Sequence, residues 1–318
     1  MKFGTVPGVE KQISRMLLGT MIVGASNYEE SSALLDAAYE AGFNAFDTGH
    51  IYGGGDSERG LGKWLSERGV RDEVVILSKG SHPNSDRNRV TPYDISADLH
   101  DSLARLQSDY VDIYVLHRDD LDVPVGEIVD ALDEHVQAGR VKSVGGSNWT
   151  HERLQAAMDY ARESGKTVFT ASSPNYGLAE QVDNPWGPGC VSVSGPANVE
   201  ARDWYATTGM AIFAYSSLGR GLFSGRITRD NYEEVADGAC RTAYCHEVNF
   251  QRLDRATELA EKKGTTVPQL AMAYILKQPL NVFAIVGAAS REECQANVAA
   301  LEIDLSPDEL AWLDLRMA

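Results

Sequence analysis

Short apolar runs alternate with amphipathic helical stretches along the whole chain, and this alternation leaves few folds open. Runs of strand length at residues 15–23, 45–47, 74–79, 110–117, 141–148, 168–173, 210–215 and 282–286 are apolar nearly throughout. Strands covered on both faces read this way. Between them, Leu34, Ala37, Ala38 and Ala41 fall on one helical face closed by Gly42. Ile95, Leu99, Leu103 and Leu106 follow a Thr91 N-cap with Pro92 at the first helical position, and Ile128, Leu132 and Val136 stop at Gly139. Helices are also expected at 152–163, 199–208 and 250–263, and a last one at 305–315 opens on the capping box Ser306 to Glu309.

Eight such units imply a parallel sheet covered by helices, and eight close naturally into an α/β (β/α)8 TIM barrel. We expect one domain over residues 1–318, with 1–14 as an N-terminal cap and 43% apolar residues to fill the core. An open doubly wound sheet is the second choice. It is weakened because Gly19 to Gly24 lacks the Gly-x-Gly-x-x-Gly spacing after the first strand. Two irregular stretches, 181–197 and 219–249, follow strands six and seven and are longer than a connection requires, as loops over a site would be.

The formal charge of −17 argues against nucleic acid and anionic membrane as partners. No segment reaches membrane-spanning length, and four scattered cysteines make no disulfide framework, so cytoplasm is the expected location. Cys240, Cys245 and His246 have no fourth ligand in view, and no metal site is expected.

The chemistry concentrates between Ala45 and Leu65. Asp47 closes a short strand, Tyr52 sits in the loop beyond it, and Gly53, Gly54 and Gly55 lead into a helix carrying Leu61, Trp64 and Leu65. Lys79 and His117 close the next two strands. In a closed barrel these ends meet at one mouth. A lysine ammonium beside the phenol should lower its pKa, Asp47 would keep that lysine charged, and His117 could hydrogen-bond a substrate oxygen. Such a set suits carbonyl reduction and lacks only a hydride source. Taken singly, His117 could be a satisfied strand-end histidine, Asp47 a turn cap, and Lys79 a solvated or Schiff-base lysine.

Here the sequence resembles the aldo-keto reductase superfamily over nearly its whole length. The resemblance rests on six segments: Phe46-Asp47-Thr48 running to Tyr52, Ser57 and Glu58; Leu77-Ser78-Lys79; Tyr110 to Leu116-His117; Gly145 to Ser147-Asn148; Ala214-Tyr215-Ser216 to Leu222; and Val286-Gly287-Ala288 to Asn297. It implies Tyr52 as the general acid and base, tuned by Lys79 and Asp47, with His117 orienting the carbonyl. It also implies a nicotinamide cofactor, NADP(H) ahead of NAD(H). Thr20, Met21 and Asp47 would lie beside that cofactor, with Ser147, Asn148 and Ser173 at the carboxamide. Tyr215 would stack on the ring, Ser216, Ser217, Leu218, Gly219 and Arg220 would cover the pyrophosphate, and Gly287, Ala288, Arg291, Glu293 and Asn297 would meet the adenosine phosphate.

The chain departs from the family pattern at Ser173, where many members carry glutamine, and at Glu293, often Arg or Gln. Ser290 to Glu293 equally fits a helix capping box. The substrate, a small carbonyl compound or alcohol, would meet Met21, His50, Arg118, Trp149 and part of 181–197. A sugar or other polyhydroxylated carbonyl is slightly favoured over a small aromatic aldehyde. A cofactor-holding sensor with negligible turnover is the alternative function, and a Schiff-base lyase using Lys79 a third. Oligomeric state is not encoded in these patterns.

Overall fold

A computed structural model describes residues 1–317. Two short strands, β1 (Phe3–Gly4) and β2 (Ile13–Ser14), pair antiparallel ahead of the barrel. The barrel strands are β3 (Met16–Gly19), β4 (Ala45–Asp47), β5 (Val75–Gly80), β6 (Val111–Leu116), β7 (Val141–Ser147), β8 (Ala171–Ser173), β9 (Ala211–Ala214) and β10 (Val282–Val286). Every neighbouring pair is parallel, and β10 returns to β3, so the sheet closes as expected.

Helices α1 (Tyr28–Glu40), α2 (Asp56–Arg68), α3 (Pro92–Leu106), α4 (Val125–Gln137), α5 (His151–Glu163) and α6 (Val199–Thr208) follow β3 to β8 in turn. Thr91 accepts the Asp94 N–H and Thr150 the Arg153 N–H, so side-chain oxygens fix where α3 and α5 begin. After β9 come α7 (Tyr232–Val235), α8 (Gly238–Tyr244), α9 (Glu247–Lys263) and α10 (Val267–Leu276); α11 (Arg291–Ala299) and α12 (Pro307–Leu313) follow β10.

The apolar residues form two cores. Val6, Val9 and Ile13 from the N-terminal segment pack with Leu17, Val75, Leu77, Ile113, Val115, Phe213 and Phe283 in one, where Phe213 and Phe283 stack at 5.0 Å. The other joins the helices to the alternate strand residues, among them Leu18, Phe46, Ile76 and Tyr114 with Trp64, Leu99 and Leu132. Successive residues of one strand thus serve opposite faces of the sheet, and this explains the uninterrupted apolar runs.

Several expected boundaries move. The strand expected at 15–23 ends at Gly19, because the Thr20 N–H and hydroxyl both turn to the Asp47 carbonyl. The one expected at 168–173 is confined to Ala171–Ser173. The stretch 219–249 is an excursion containing α7, α8 and the start of α9 rather than one open loop. Helix α10 escapes the periodicity because it is buried on nearly every side, although Thr266, Pro268 and Gln269 announce it with a capping box.

Candidate active site

Asp47, Tyr52, Lys79 and His117 converge at the end of the barrel where β4, β5 and β6 finish. The Lys79 Nζ donates to the Asp47 carboxylate, to the Thr48 carbonyl at 3.0 Å and to the Tyr52 hydroxyl at 3.1 Å. The Tyr52 and His117 rings meet edge to face with centroids 5.9 Å apart. Left-handed backbone at Gly53 (φ 57°), Gly54 (φ 62°) and Gly55 (φ 89°) makes the turn that sets Tyr52 over the strand ends. At Gly55 a Cβ would also strike the Arg105 guanidinium at 2.6 Å.

The electrostatics of this cluster differ in one respect from expectation. Lys79 is raised above its ordinary value: burial works to lower it, but Asp47 and Tyr52 outweigh that cost. Tyr52 is raised rather than lowered, because burial of the phenol outweighs the pull of Lys79, and Asp47 adds to the rise. The Asp47 carboxyl is itself pushed up by burial, against the attraction of Lys79. His117 is held well below its ordinary value by burial, with the charges of Lys79 and Arg118 and the neighbouring His82 adding to the effect. Its Nδ1 is enclosed without a partner, so the neutral tautomer that leaves Nδ1 unprotonated carries its N–H on Nε2.

A second group lines the ends of β7, β8 and β9. Asn148, at φ 59°, accepts from the Tyr215 hydroxyl at 2.6 Å and from the Val191 N–H at 3.1 Å, and donates to the His117 carbonyl and to Ser147. Ser147 donates to the Ser173 carbonyl, while the Ser173 hydroxyl donates to the Phe213 carbonyl, 2.8 Å away. Ser216 and Arg220 adopt φ of 54° and 50°, and Ser217 bonds the Ile285 carbonyl at 3.0 Å, tying the 216–220 segment to the end of β10.

The family model described as aldo/keto reductase family matches residues 15–315. The chain belongs to that family. Norsolorinic acid reductase stcV of Emericella nidulans is 29% identical, over 94% of this chain and 77% of that protein. The putative aryl-alcohol dehydrogenase AAD14 of Saccharomyces cerevisiae is 29% identical, over 92% and 78%. Protein tas of Escherichia coli is 27% identical, over 99% of this chain and 97% of its own length. As an aldo/keto reductase this protein is an oxidoreductase of the carbonyl-reducing class, and the family works with nicotinamide cofactors.

The reductase spreads its other candidate residues unevenly. Thr20 is buried on Asp47 and Ser57, and Met21 beside it is 68% exposed. Arg220 is paired with Asp237 at 2.9 Å and Arg291 with Glu40. Glu293 reaches back to the Ala289 N–H at 2.8 Å while its own N–H meets Ser290, so it is occupied as a helix cap. Asn297 donates to the Gly287 carbonyl; Ala288 is buried, and a Cβ on Gly287 would meet nothing.

Trp149 is not at the mouth. It is fully buried against Phe169 and over Gly146, whose missing Cβ makes room for the indole, so it is core rather than a substrate wall. Asp119 is taken by Arg153 at 3.0 Å, and His50 turns toward Asp101 at 3.3 Å. Three further residues stand against the candidate site residues. His82 stands 4.8 Å from the His117 ring, Trp186 stands 6.2 Å from the Tyr215 ring, and buried Glu58 accepts from Ser78, the neighbour of Lys79. Glu58 lies in the segment around Tyr52 and Trp186 in the 181–197 stretch expected over the site, whereas His82 left no trace in the sequence. Among the described residues no His, Cys, Asp and Glu cluster could hold a metal.

Proposed function

We propose that this protein reduces an aldehyde or ketone to the alcohol, and runs the reverse oxidation, with Tyr52 as the group that gives and takes the proton. The observation that carries this reading is the Lys79 ammonium held between the Asp47 carboxylate and the Tyr52 hydroxyl. The charged amine steadies the phenolate left when the Tyr52 proton goes to the carbonyl oxygen. His117, neutral at ordinary pH, donates from Nε2 to that same oxygen and fixes its direction.

A nicotinamide cofactor fits the second group. Among the described residues the N–H groups of Ser217, Leu218 and Arg220 have no backbone acceptor, and the first turn of α11 leaves the Arg291 N–H free. Unspent amides after β9 and at the start of α11 suit a diphosphate and an adenosine phosphate. Ser147, Asn148 and Tyr215 would hold the nicotinamide end, exchanging some of their mutual hydrogen bonds for bonds to it. When bound, the reduced nicotinamide supplies the hydride. Both NADP(H) and NAD(H) suit these groups. The family resemblance favours the former; the commitment of Arg291 to Glu40 and of Glu293 to the helix cap favours the latter.

For the substrate, an aromatic or otherwise apolar carbonyl compound now fits better than a sugar. Asp119, a polar group beside His117, is engaged in an ion pair with Arg153, and Trp149 is engaged in packing. The loops beyond the barrel strands instead expose Met21, Ile22, Ile51, Leu121 and Val182. The printed names of the relatives, an aryl-alcohol dehydrogenase and a norsolorinic acid reductase, point the same way.

The test is a panel of aldehydes and ketones with each cofactor, following the near-ultraviolet absorbance of the reduced nicotinamide. Tyr52→Phe should lower kcat by about 10²–10⁴-fold and leave the cofactor Kd close to wild type, because only a transition-state contact is lost. Unchanged turnover refutes the role of Tyr52; cofactor binding with no turnover on any carbonyl refutes the enzyme reading.

A further inference from the structure

Arg118 differs from four arginines on the loops and helices after β5, β7 and β9. Arg87 and Arg89 are paired with Asp94 and Asp98, Arg153 with Asp119, and Arg220 with Asp237. Arg118 has no carboxylate within ion-pairing distance among the described residues. Its single hydrogen bond runs from Nη1 to the carbonyl of His117 at 2.8 Å. A guanidinium has five donors, so four are unspent.

Its place matters as much as its freedom. Arg118 follows His117 directly at the end of β6 and folds back onto that residue's carbonyl, which sets the group beside a candidate site residue. Its stem runs under the 181–197 segment, close enough that a Cβ on Gly189 would lie 3.7 Å from Cδ. The side chain is partly shielded from solvent. A chain of net charge −17 repels anions over most of its surface. An unpaired guanidinium bonded to the backbone of His117 is therefore a local exception that rewards an anionic ligand, and its planar fork matches a carboxylate.

We propose that Arg118 is a specificity-determining residue that selects carbonyl substrates bearing a carboxylate at the end of the molecule remote from the reacting carbonyl. The inference rests on the carbonyl-reductase reading and narrows it: an apolar body lies against the mouth residues, the carbonyl oxygen meets Tyr52 and His117, and the carboxylate meets Arg118.

A matched pair separates charge from everything else: 4-carboxybenzaldehyde and its methyl ester share ring and aldehyde and differ in the anion. With saturating cofactor, wild type should prefer the acid in kcat/KM by about tenfold or more. Arg118→Gln should bring that acid-to-ester ratio close to one, and Arg118→Lys should restore part of it. An acid-to-ester ratio of one or less in wild type, or an unchanged ratio in Arg118→Gln, overturns the proposal. A turnover-free arm follows benzoate binding to the cofactor-loaded protein by tryptophan emission, where Arg118→Gln should raise Kd about tenfold. Equal Kd in the two proteins overturns the proposal even if neither aldehyde is reduced. Failure of both aldehydes with benzoate binding intact sinks the reductase reading and leaves the anion site standing.

Discussion

At the scale of single residues the site runs on opposed protonation preferences. Burial raises the Tyr52 phenol and lowers the His117 imidazole, so both are neutral across the ordinary range while Lys79 stays charged. In the proposed mechanism, carbonyl reduction needs the protonated phenol. Its rate should therefore hold until pH climbs through the raised Tyr52 value, above the ordinary 10.0. At the acid end, His117 charges only once pH falls well below the ordinary 6.5, and proton donation from Nε2 survives that change. The expected kcat/KM profile for reduction is a plateau from about pH 6.5 to about pH 10. The oxidation direction, which needs the phenolate, should instead rise with pH over the alkaline half. A reduction rate that falls around pH 8 would mean that Lys79 outweighs burial, reversing the balance argued here. The sequence showed the partners but not the sign, because burial of the Tyr52 phenol depends on how it packs against Lys79 and His117 from two other strands.

Among the elements, β7 is the most tightly constrained. A Cβ on Gly145 would fall 1.7 Å from the Ala171 carbonyl oxygen of β8, a backbone atom that cannot step aside without breaking the barrel ladder. Gly145→Ala should cost more than about 3 kcal/mol, beyond the usual range for overpacking, read as a lower urea midpoint. Gly287→Ala, where the added carbon meets nothing, should leave that midpoint near wild type. Equal stability of the two variants would show that β7 can shift. Both glycines stand in segments that the sequence already marks, yet nothing in the string says which one faces backbone. The same limit explains Trp149: the residue after a strand was expected at the mouth, but Asn148 at φ 59° and the bare face of Gly146 let the indole pack into the core. Periodicity found the barrel strands because most of them carry apolar residues to both faces, as Leu17 and Leu18 of β3 or Val75 and Ile76 of β5 do. It missed α10 because a helix buried all round has no polar side to mark its turn.

Over the whole molecule, the two ends of the barrel divide the work. The candidate site sits where the strands finish, while the opposite end is held by Asp112 at the start of β6. That carboxylate accepts from the Lys11 ammonium of the N-terminal segment at 2.9 Å, from the Ile76 N–H at 2.9 Å, and stands 3.0 Å from the Arg71 guanidinium. Lys11 also donates to the Val74 carbonyl at 2.7 Å, so one lysine ties the segment that brings Val6, Val9 and Ile13 to the barrel interior. Asp112 is 2% exposed, and its removal would leave two cations and a backbone N–H short of their acceptor. Asp112→Ala should destabilise the fold by about 3 kcal/mol, the cost of breaking a buried pair from one side. In the protein that remains folded, the acid-to-ester selectivity should match wild type, because the Tyr52, Lys79, His117 and Arg118 cluster is built from the other end of the same strands. A loss of selectivity alongside stability would show that the two ends are mechanically coupled; a loss of neither would make Lys11, Arg71 and Asp112 a surface decoration.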